Sequence, residues 1–405
     1  MHRVPEISDC RLKKMTILKK NILIFIFSLL LLLPIFPDRV LSQTSIKVGA
    51  LIPFTGRWGD AGRECAKGML DAGKWLNQKG GIYGRKLEIL VIDDNSQVAE
   101  MMAAYRKLHE ADRIILLYIY SIESAEALMP HIQFNRIPTF GSSLRSDLAN
   151  PSKHPYVFSI TPALQDLSKI GMKFLSENSG IKVRKPKIVF IGTADPLGQS
   201  FLEETKEYAS RIGLDIGPDL WISNVSSSKS LSLSLSTLNQ YNPDFAYLSL
   251  ASKEASSLLQ EAKQIGLKTK WMGNPRAFDE NLLSFEGVYG VQPVAPFGED
   301  IPGMTDIKEA HRRWHPYDSH TLSYVEGWAT VQVMAEAIGR SLPEQMLSRE
   351  KVKGALEGFK DYVLGGLVPP LTITAKDHRP SVESRIFMVK DGKLSRYTGF
   401  ISVGR

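Results

Sequence analysis

The stretch Ile46-Lys47-Val48-Gly49-Ala50-Leu51-Ile52, followed by the loop Pro53-Phe54-Thr55-Gly56-Arg57-Trp58-Gly59-Asp60-Ala61-Gly62, decides the architecture. The first seven residues are nearly all apolar, as a parallel strand covered on both faces must be. A helix is expected after the loop, with Ala66, Met69, Leu70, Gly73 and Leu76 on one face at i, i+3, i+4 spacing. It stops at Asn77-Gln78-Lys79-Gly80-Gly81-Ile82-Tyr83-Gly84, where glycine takes the left-handed conformation of a helix end. A second strand, Leu87 to Ile92, runs into Asp93-Asp94-Asn95 and completes a βαβ unit.

The rhythm then repeats. Helices are expected at Val98–Ala111 and Ile122–Asn135, and strands at Ile114–Leu117 and Ile137–Phe140, with a turn at Tyr118-Ile119-Tyr120-Ser121. This alternation predicts a parallel sheet with right-handed crossovers. After Tyr156–Pro162 it restarts, with strands at Lys187–Ile191, Leu220–Ser223, Phe245–Leu250 and Trp271–Gly273. The intervening helices are expected at Leu164–Glu177, Gly198–Ile212, Ser230–Tyr241 and Glu254–Ile265. Helices at Gly303–Trp314, Ser323–Arg340 and Ser348–Leu356 follow, then extended segments at Leu371–Thr374 and Ser384–Val389 and a turn at Asp391-Gly392.

The string Asn77-x-x-Gly80-Gly81-Ile82-x-Gly84-Arg85-x-Leu87, closing on Asp93-Asp94 after a strand, resembles the N-terminal signature of type I periplasmic binding proteins. Within that class it is similar to the leucine/isoleucine/valine-binding and amide-binding group, the soluble receptors of ABC importers, and the match continues to Gly392. The resemblance implies an α/β fold of two Rossmann-like lobes with parallel sheets, joined by a three-strand hinge. It divides the chain into a signal peptide (1–42), a first lobe (43–160 and 292–370), a second lobe (161–291) and a return segment (371–405). It also implies a small-molecule ligand, a membrane permease with ATPase subunits as partners, a monomer, and no cofactor. The serine-rich run 226–236 has leucines at every second position, as in a strand, but its place in the family suggests a loop entering a helix.

Bulk properties agree with two domains. A chain of 405 residues with 43% apolar content can bury two cores. Residues 1–42 hold seven Lys/Arg and three Asp/Glu, so four of the seven formal positive charges lie there and the rest carries +3. No basic stripe with interleaved aromatics argues for nucleic acid. Lys13, Lys14, Lys19 and Lys20 precede the apolar run Ile22 to Leu33, and Val40-Leu41-Ser42 offers a cleavage site before Gln43; Met15 is an alternative start. The run is short for a membrane span, which takes roughly 20 residues. Of the two cysteines, Cys10 precedes the apolar run and Cys65 is expected to be a small buried hydrophobe, leaving no intramolecular disulfide after cleavage.

The chemistry-bearing motifs are sparse. Gly56, Gly59 and Gly62 are spaced by three, which is not the Gly-x-Gly-x-x-Gly of a dinucleotide site. His311-x-x-x-His315 with His320 has metal-like spacing. However, Arg312 and Arg313 repel a cation, and a solvated basic helix end is the simpler expectation. No Gly-x-Ser-x-Gly elbow marks a nucleophile, so catalysis has no support.

The polar turns are different. Ser121 lies where a strand ends and a helix begins, so its hydroxyl either caps the helix or turns to a ligand, and a carboxylate there would gain charge-assisted hydrogen bonds. Gly141-Ser142-Ser143 forms a second such turn. In the resembled family these turns hold the ligand's carboxylate, and Trp58 and Tyr120 fit its aromatic walls. In the second lobe, Leu197 in Thr193-Ala194-Asp195-Pro196-Leu197-Gly198 stands where the family commonly has tyrosine. In Gly273-Asn274-Pro275-Arg276, Pro275 replaces the acid that accepts an amino acid's ammonium. Glu326 or Asp195 can substitute for it, or Glu326 can serve only the helix face. The expected ligand-contact set is therefore Trp58, Tyr120, Ser121, Ser142, Ser143, Asp195, Asn274, Arg276 and Glu326. With no acid recognised opposite, Arg276 and Arg145 are expected to favour an organic acid, an amide or an acidic amino acid over leucine, isoleucine or valine. A ligand-sensing receptor of the same fold is the alternative to a transport role.

Overall fold

In a computed structural model the described residues are 45–95, 97–142, 144–194, 196–222, 228–342 and 346–405. The expected export signal and its cleavage site lie outside them, as do Ser143 and Asp195.

The first sheet is wholly parallel. Its strands β1 (Ile46–Leu51), β2 (Leu87–Ile92), β3 (Leu116–Ile119), β4 (Thr139–Gly141) and β5 (Val157–Phe158) lie in the order β2-β1-β3-β4-β5. Helices α1 (Gly59–Gln78), α2 (Val98–Arg106) and α3 (Ile122–Asn135) make the crossovers. Strand β1 sits between β2 and β3, with Val48 paired to both Ile89 and Leu116. Its side chains enter two cores: Ile46, Val48 and Ala50 pack on one face, Leu51 on the other. That explains its largely apolar sequence. The turn after α1 needs its glycines. Gly80, Gly81 and Gly84 have φ of 102°, 70° and 81°, and a Cβ on Gly81 would fall 2.2 Å from the Arg85 carbonyl oxygen.

The second sheet begins after α4 (Leu164–Glu177). Its strands are β6 (Lys187–Thr193), β7 (Asp215–Ile216), β8 (Leu220–Ile222), β9 (Phe245–Ser249), β10 (Lys270–Gly273) and β11 (Tyr289–Gln292). Helices α5 (Pro196–Arg211), α6 (Ser228–Tyr241) and α7 (Ser252–Gln264) connect them. These strands run parallel; β12 (Glu383–Lys390) then joins β11 antiparallel, and β13 (Lys393–Arg396) and β14 (Ile401–Ser402) pair with β12. Between β11 and β12 the chain returns to the first core through α8 (Met304–Trp314), α9 (Leu322–Ser341) and α10 (Arg349–Leu356). It therefore passes between the two sheets three times, after β5, after β11 and before β12. The α/β two-lobe architecture expected from the sequence is the one observed.

Helices α1 and α9 pack backbone against backbone. A Cβ on Gly68 would meet the Tyr324 carbonyl oxygen at 2.0 Å, and one on Gly327 would meet that of Cys65 at 2.2 Å. Hydrogen in place of a side chain lets these backbones touch, and Cys65, Met69 and Trp328 are buried around the crossing. Cys65 is the buried small residue expected, its thiol 3.3 Å from the Tyr118 hydroxyl.

Three local expectations need correction and one holds. Leu70 is 47% exposed, because α9 crosses over Gly68 and the buried stripe runs through Cys65, Ala72 and Trp75 instead. Strand β3 extends to Ile119, since Tyr118 and Ile119 pair with Phe140 and Gly141, so the turn begins at Tyr120. The period-two leucine run enters a helix as expected: α6 buries Leu231, Leu235 and Leu238 at helical spacing and leaves Leu233 exposed. Leu371–Thr374 makes only single bridges, Leu371 with Tyr362 and Thr374 with Asp377, rather than a strand.

Candidate functional site

A cavity of about 240 Å³ lies where the two sheets face each other. Carboxyl ends of strands from both lobes reach it: Tyr120 follows β3, Ser142 follows β4, Ala251 and Ser252 follow β9, and Pro275 and Arg276 follow β10. Open α/β sheets place ligands at these ends because loops and helix starts converge there. Thr161 and the segment Gln292–Val294 line it where the chain passes between the lobes. Trp58, Asp60 and Glu64 from the start of α1, and Thr321, Ser323 and Glu326 from the start of α9, complete the first-lobe wall.

Polar contacts join the lobes across this space. Arg57 pairs with Glu254 at 2.6 Å, and Lys253 pairs with Asp60. The Arg276 guanidinium stands 4.8 Å from the Trp58 ring centre, and Arg57 stands 5.0 Å from the same ring. The backbone N–H of Leu322, at the start of α9, donates to Glu280 Oε1 at 3.0 Å. Thus a second-lobe carboxyl caps a first-lobe helix.

The acids in the cleft are strongly perturbed. Burial, reinforced by neighbouring Asp279, pushes the Glu280 carboxyl up to about 8. Burial also raises Glu326, against the opposing effects of the Ser142 hydroxyl, which donates to Glu326 Oε1 at 2.6 Å, and of Arg276. Burial opposes ionisation of Glu64, but His320 and Lys67 together hold its carboxyl below the usual range. The Tyr120 phenol is pushed up by burial and by Glu326.

Of the residues expected to contact a ligand, the structure brings Trp58, Tyr120, Ser142, Arg276 and Glu326 to one cavity. Two others are elsewhere. The Ser121 hydroxyl accepts from the Ser124 N–H at 3.0 Å and donates to Ser124 Oγ, which in turn donates to Asp94, so it caps α3 and does not line the cavity. Asn274 Oδ1 accepts from the N–H groups of Arg276 and Ala277, and its amide reaches Ser249. It shapes the loop that presents Arg276. Arg145, considered as an anion partner, is bound to Glu126 and Asp147. Ser143 and Asp195 lie outside the described residues.

Glu280, a second-lobe acid absent from the expected contact set, lines the cavity. In sequence it sits in Phe278-Asp279-Glu280-Asn281, seven residues past the end of β10, and reads as a surface turn. Only the tertiary fold carries it to the α9 terminus. The histidine group also departs from a solvated helix end. His320 is buried and stacks on the Tyr324 ring at 3.8 Å, with His311 and His315 rings 5.0 and 5.5 Å away. His315 lies 2.9 Å from Asp71, and His320 3.3 Å from Glu64. Among the described residues no group of His, Cys, Asp and Glu is arranged to hold a metal ion.

Comparison with known proteins places this geometry. Leu/Ile/Val-binding protein homolog 7 of Brucella suis biovar 1 (strain 1330) is 22% identical over 331 residues, covering 74% of this chain and 78% of that one. The crystal structure of a branched chain amino acid ABC transporter from Thermus thermophilus with bound valine superposes with a TM-score of 0.80 at 21% identity, covering 89% of this chain and 97% of that one. A fatty acid ABC transporter substrate-binding protein from Thermomonospora curvata gives 0.74 at 22% identity, covering 89% and 91%. The family described as periplasmic binding protein matches residues 45–393, which contain the first sheet, strands β6 to β12 of the second and every residue of the cavity wall, and the chain belongs to that family.

Proposed function

We propose that this protein is the substrate-binding component of an ABC importer. It works in the periplasm as a monomer after cleavage of its signal before Gln43. It encloses a small polar metabolite, an amino acid, amide or related acid, between its lobes and delivers it to a permease driven by ATPase subunits, without altering it covalently. The observation that supports this most is a cavity of about 240 Å³ walled by strand ends of both lobes, with convergent polar side chains. Trp58, Tyr120, Ser142, Arg276 and Glu326 are the proposed contacts. A ligand that touches both lobes binds the closed arrangement more tightly than the open one, so binding and closure are coupled.

A thermal-shift screen against amino acids, amides, amines and organic acids tests the reading. A ligand present at about 100 times its dissociation constant adds about 2.7 kcal/mol of stability. A flat response across the whole library would contradict a receptor role.

A further inference from the structure

Three places on the cavity wall where an incoming anion would settle are already served by the chain's own carboxyl groups. The Ala251 N–H, at the start of α7, donates to Glu254 Oε2 at 2.9 Å. The Leu322 N–H, at the start of α9, donates to Glu280 Oε1 at 3.0 Å. The Ser142 hydroxyl donates to Glu326 Oε1 at 2.6 Å. Helix starts and strand-end hydroxyls are natural anion sites, and here they hold internal acids.

Two oxygens on the same wall are sealed from solvent and lack a hydrogen-bond partner among the described residues: Glu280 Oε2 and Thr321 Oγ1. Thr321 is the residue before α9, yet its hydroxyl makes no cap, because Glu280 from the other lobe takes that place. Glu326 lies one turn along from Leu322, on the same helix face. Acceptors from both lobes therefore gather around the first turn of α9.

We propose that the ligand enclosed in this cleft carries an organic cation, an alkylammonium or guanidinium group, held by Glu280 from the second lobe and by Thr321 and Glu326 from the first. This rests on the receptor reading above and narrows its ligand class. An ammonium has three N–H donors and a guanidinium five, enough to satisfy the open oxygens together. The positive end of α9, about half an elementary charge, opposes a cation, but two carboxylates outweigh it. An anion would oppose ionisation of the two acids and an uncharged ligand would leave them protonated, whereas a cation gains from their ionised forms. Burial holds both carboxyls above their ordinary range, so the arriving cation ionises them and releases protons. Arg276, stacked on Trp58 in the same cavity, can take a carboxylate or carbonyl when the ligand has one. Molecules with a free amine thus fall inside the class, and simple carboxylic acids fall outside it.

Calorimetric titration with agmatine, arginine, 3-methylbutylamine, leucinamide, acetamide and 4-methylpentanoate, extended to hits from the library screen, tests this. The tightest ligand should carry a cationic nitrogen. Glu280→Gln and Glu326→Gln should each weaken it at least tenfold while circular dichroism and melting stay near wild type. Proton release, read as a buffer-dependent heat at neutral pH, should shrink in Glu280→Gln. A carboxylate or uncharged amide as the tightest ligand, unaffected by either substitution, overturns the inference and leaves the receptor reading standing. No binding by any probe or library member overturns the receptor reading, and this inference with it.

Discussion

Closure of the ligand-free protein should depend on pH through Glu280. In the arrangement described, its carboxyl is buried beside Asp279 against the start of α9 and is pushed up to about 8. When the lobes part, it returns to water and to the ordinary glutamate value of about 4.3. The group is raised in the closed form, so its contribution to closure is fully present below about 4.3 and is lost progressively as pH rises through about 8. Between about pH 5 and pH 7 the loss is roughly 2–3 kcal/mol, or about a hundredfold in the closed-to-open ratio. Glu326, also raised by burial, adds a change of the same sign. Small-angle scattering across this range should show the free protein expanding with pH. Glu280→Gln should reduce the expansion, and Glu280→Gln with Glu326→Gln should reduce it further, leaving only the smaller part due to Asp279. An unchanged pH profile in Glu280→Gln would refute the reasoning, because the titrating group would then lie elsewhere.

Other expectations follow from particular contacts. Gly327→Ala should destabilise the fold by about 2 kcal/mol or more, since the new Cβ meets backbone at 2.2 Å and cannot be relieved by a rotamer change; the denaturant midpoint measures it. Ser121→Ala should cost about 1 kcal/mol of stability through loss of the α3 cap and leave ligand affinity unchanged, which melting and titration separate. Arg57→Ala should alter stability by less than about 1 kcal/mol, because the Arg57–Glu254 pair is partly exposed. The small effect should fade with added salt.

The first βαβ unit was legible because its signals are local. An apolar run names a doubly covered strand, and Gly80-Gly81 names a turn that few other residues can make. Helix α4 was placed at its observed bounds for the same reason, a regular apolar period between clear breaks. The site was legible mainly near strand ends, as at Tyr120, Ser142 and Arg276, and at the helix-borne Trp58 and Glu326 that the family resemblance pointed to. Ser121 also follows a strand, but whether it caps or points outward depends on Ser124 and Asp94, which the chain order does not reveal. Glu280 and Thr321 meet from different lobes, forty-one positions apart. The same limit explains Leu70, whose exposure depends on where α9 crosses α1.

The central claim is that a small ligand draws the two lobes together. Cysteines placed at Val98 on the first lobe and Leu233 on the second, both exposed, can carry spin labels while the buried Cys65 stays unlabelled. The distance between the labels, measured by pulsed electron paramagnetic resonance at neutral pH with and without the strongest stabilising ligand, tests the claim directly. A broad distribution that shifts and narrows when the ligand saturates the cleft is expected. An identical distribution in both samples, with the ligand shown by calorimetry to be bound, would contradict the claim.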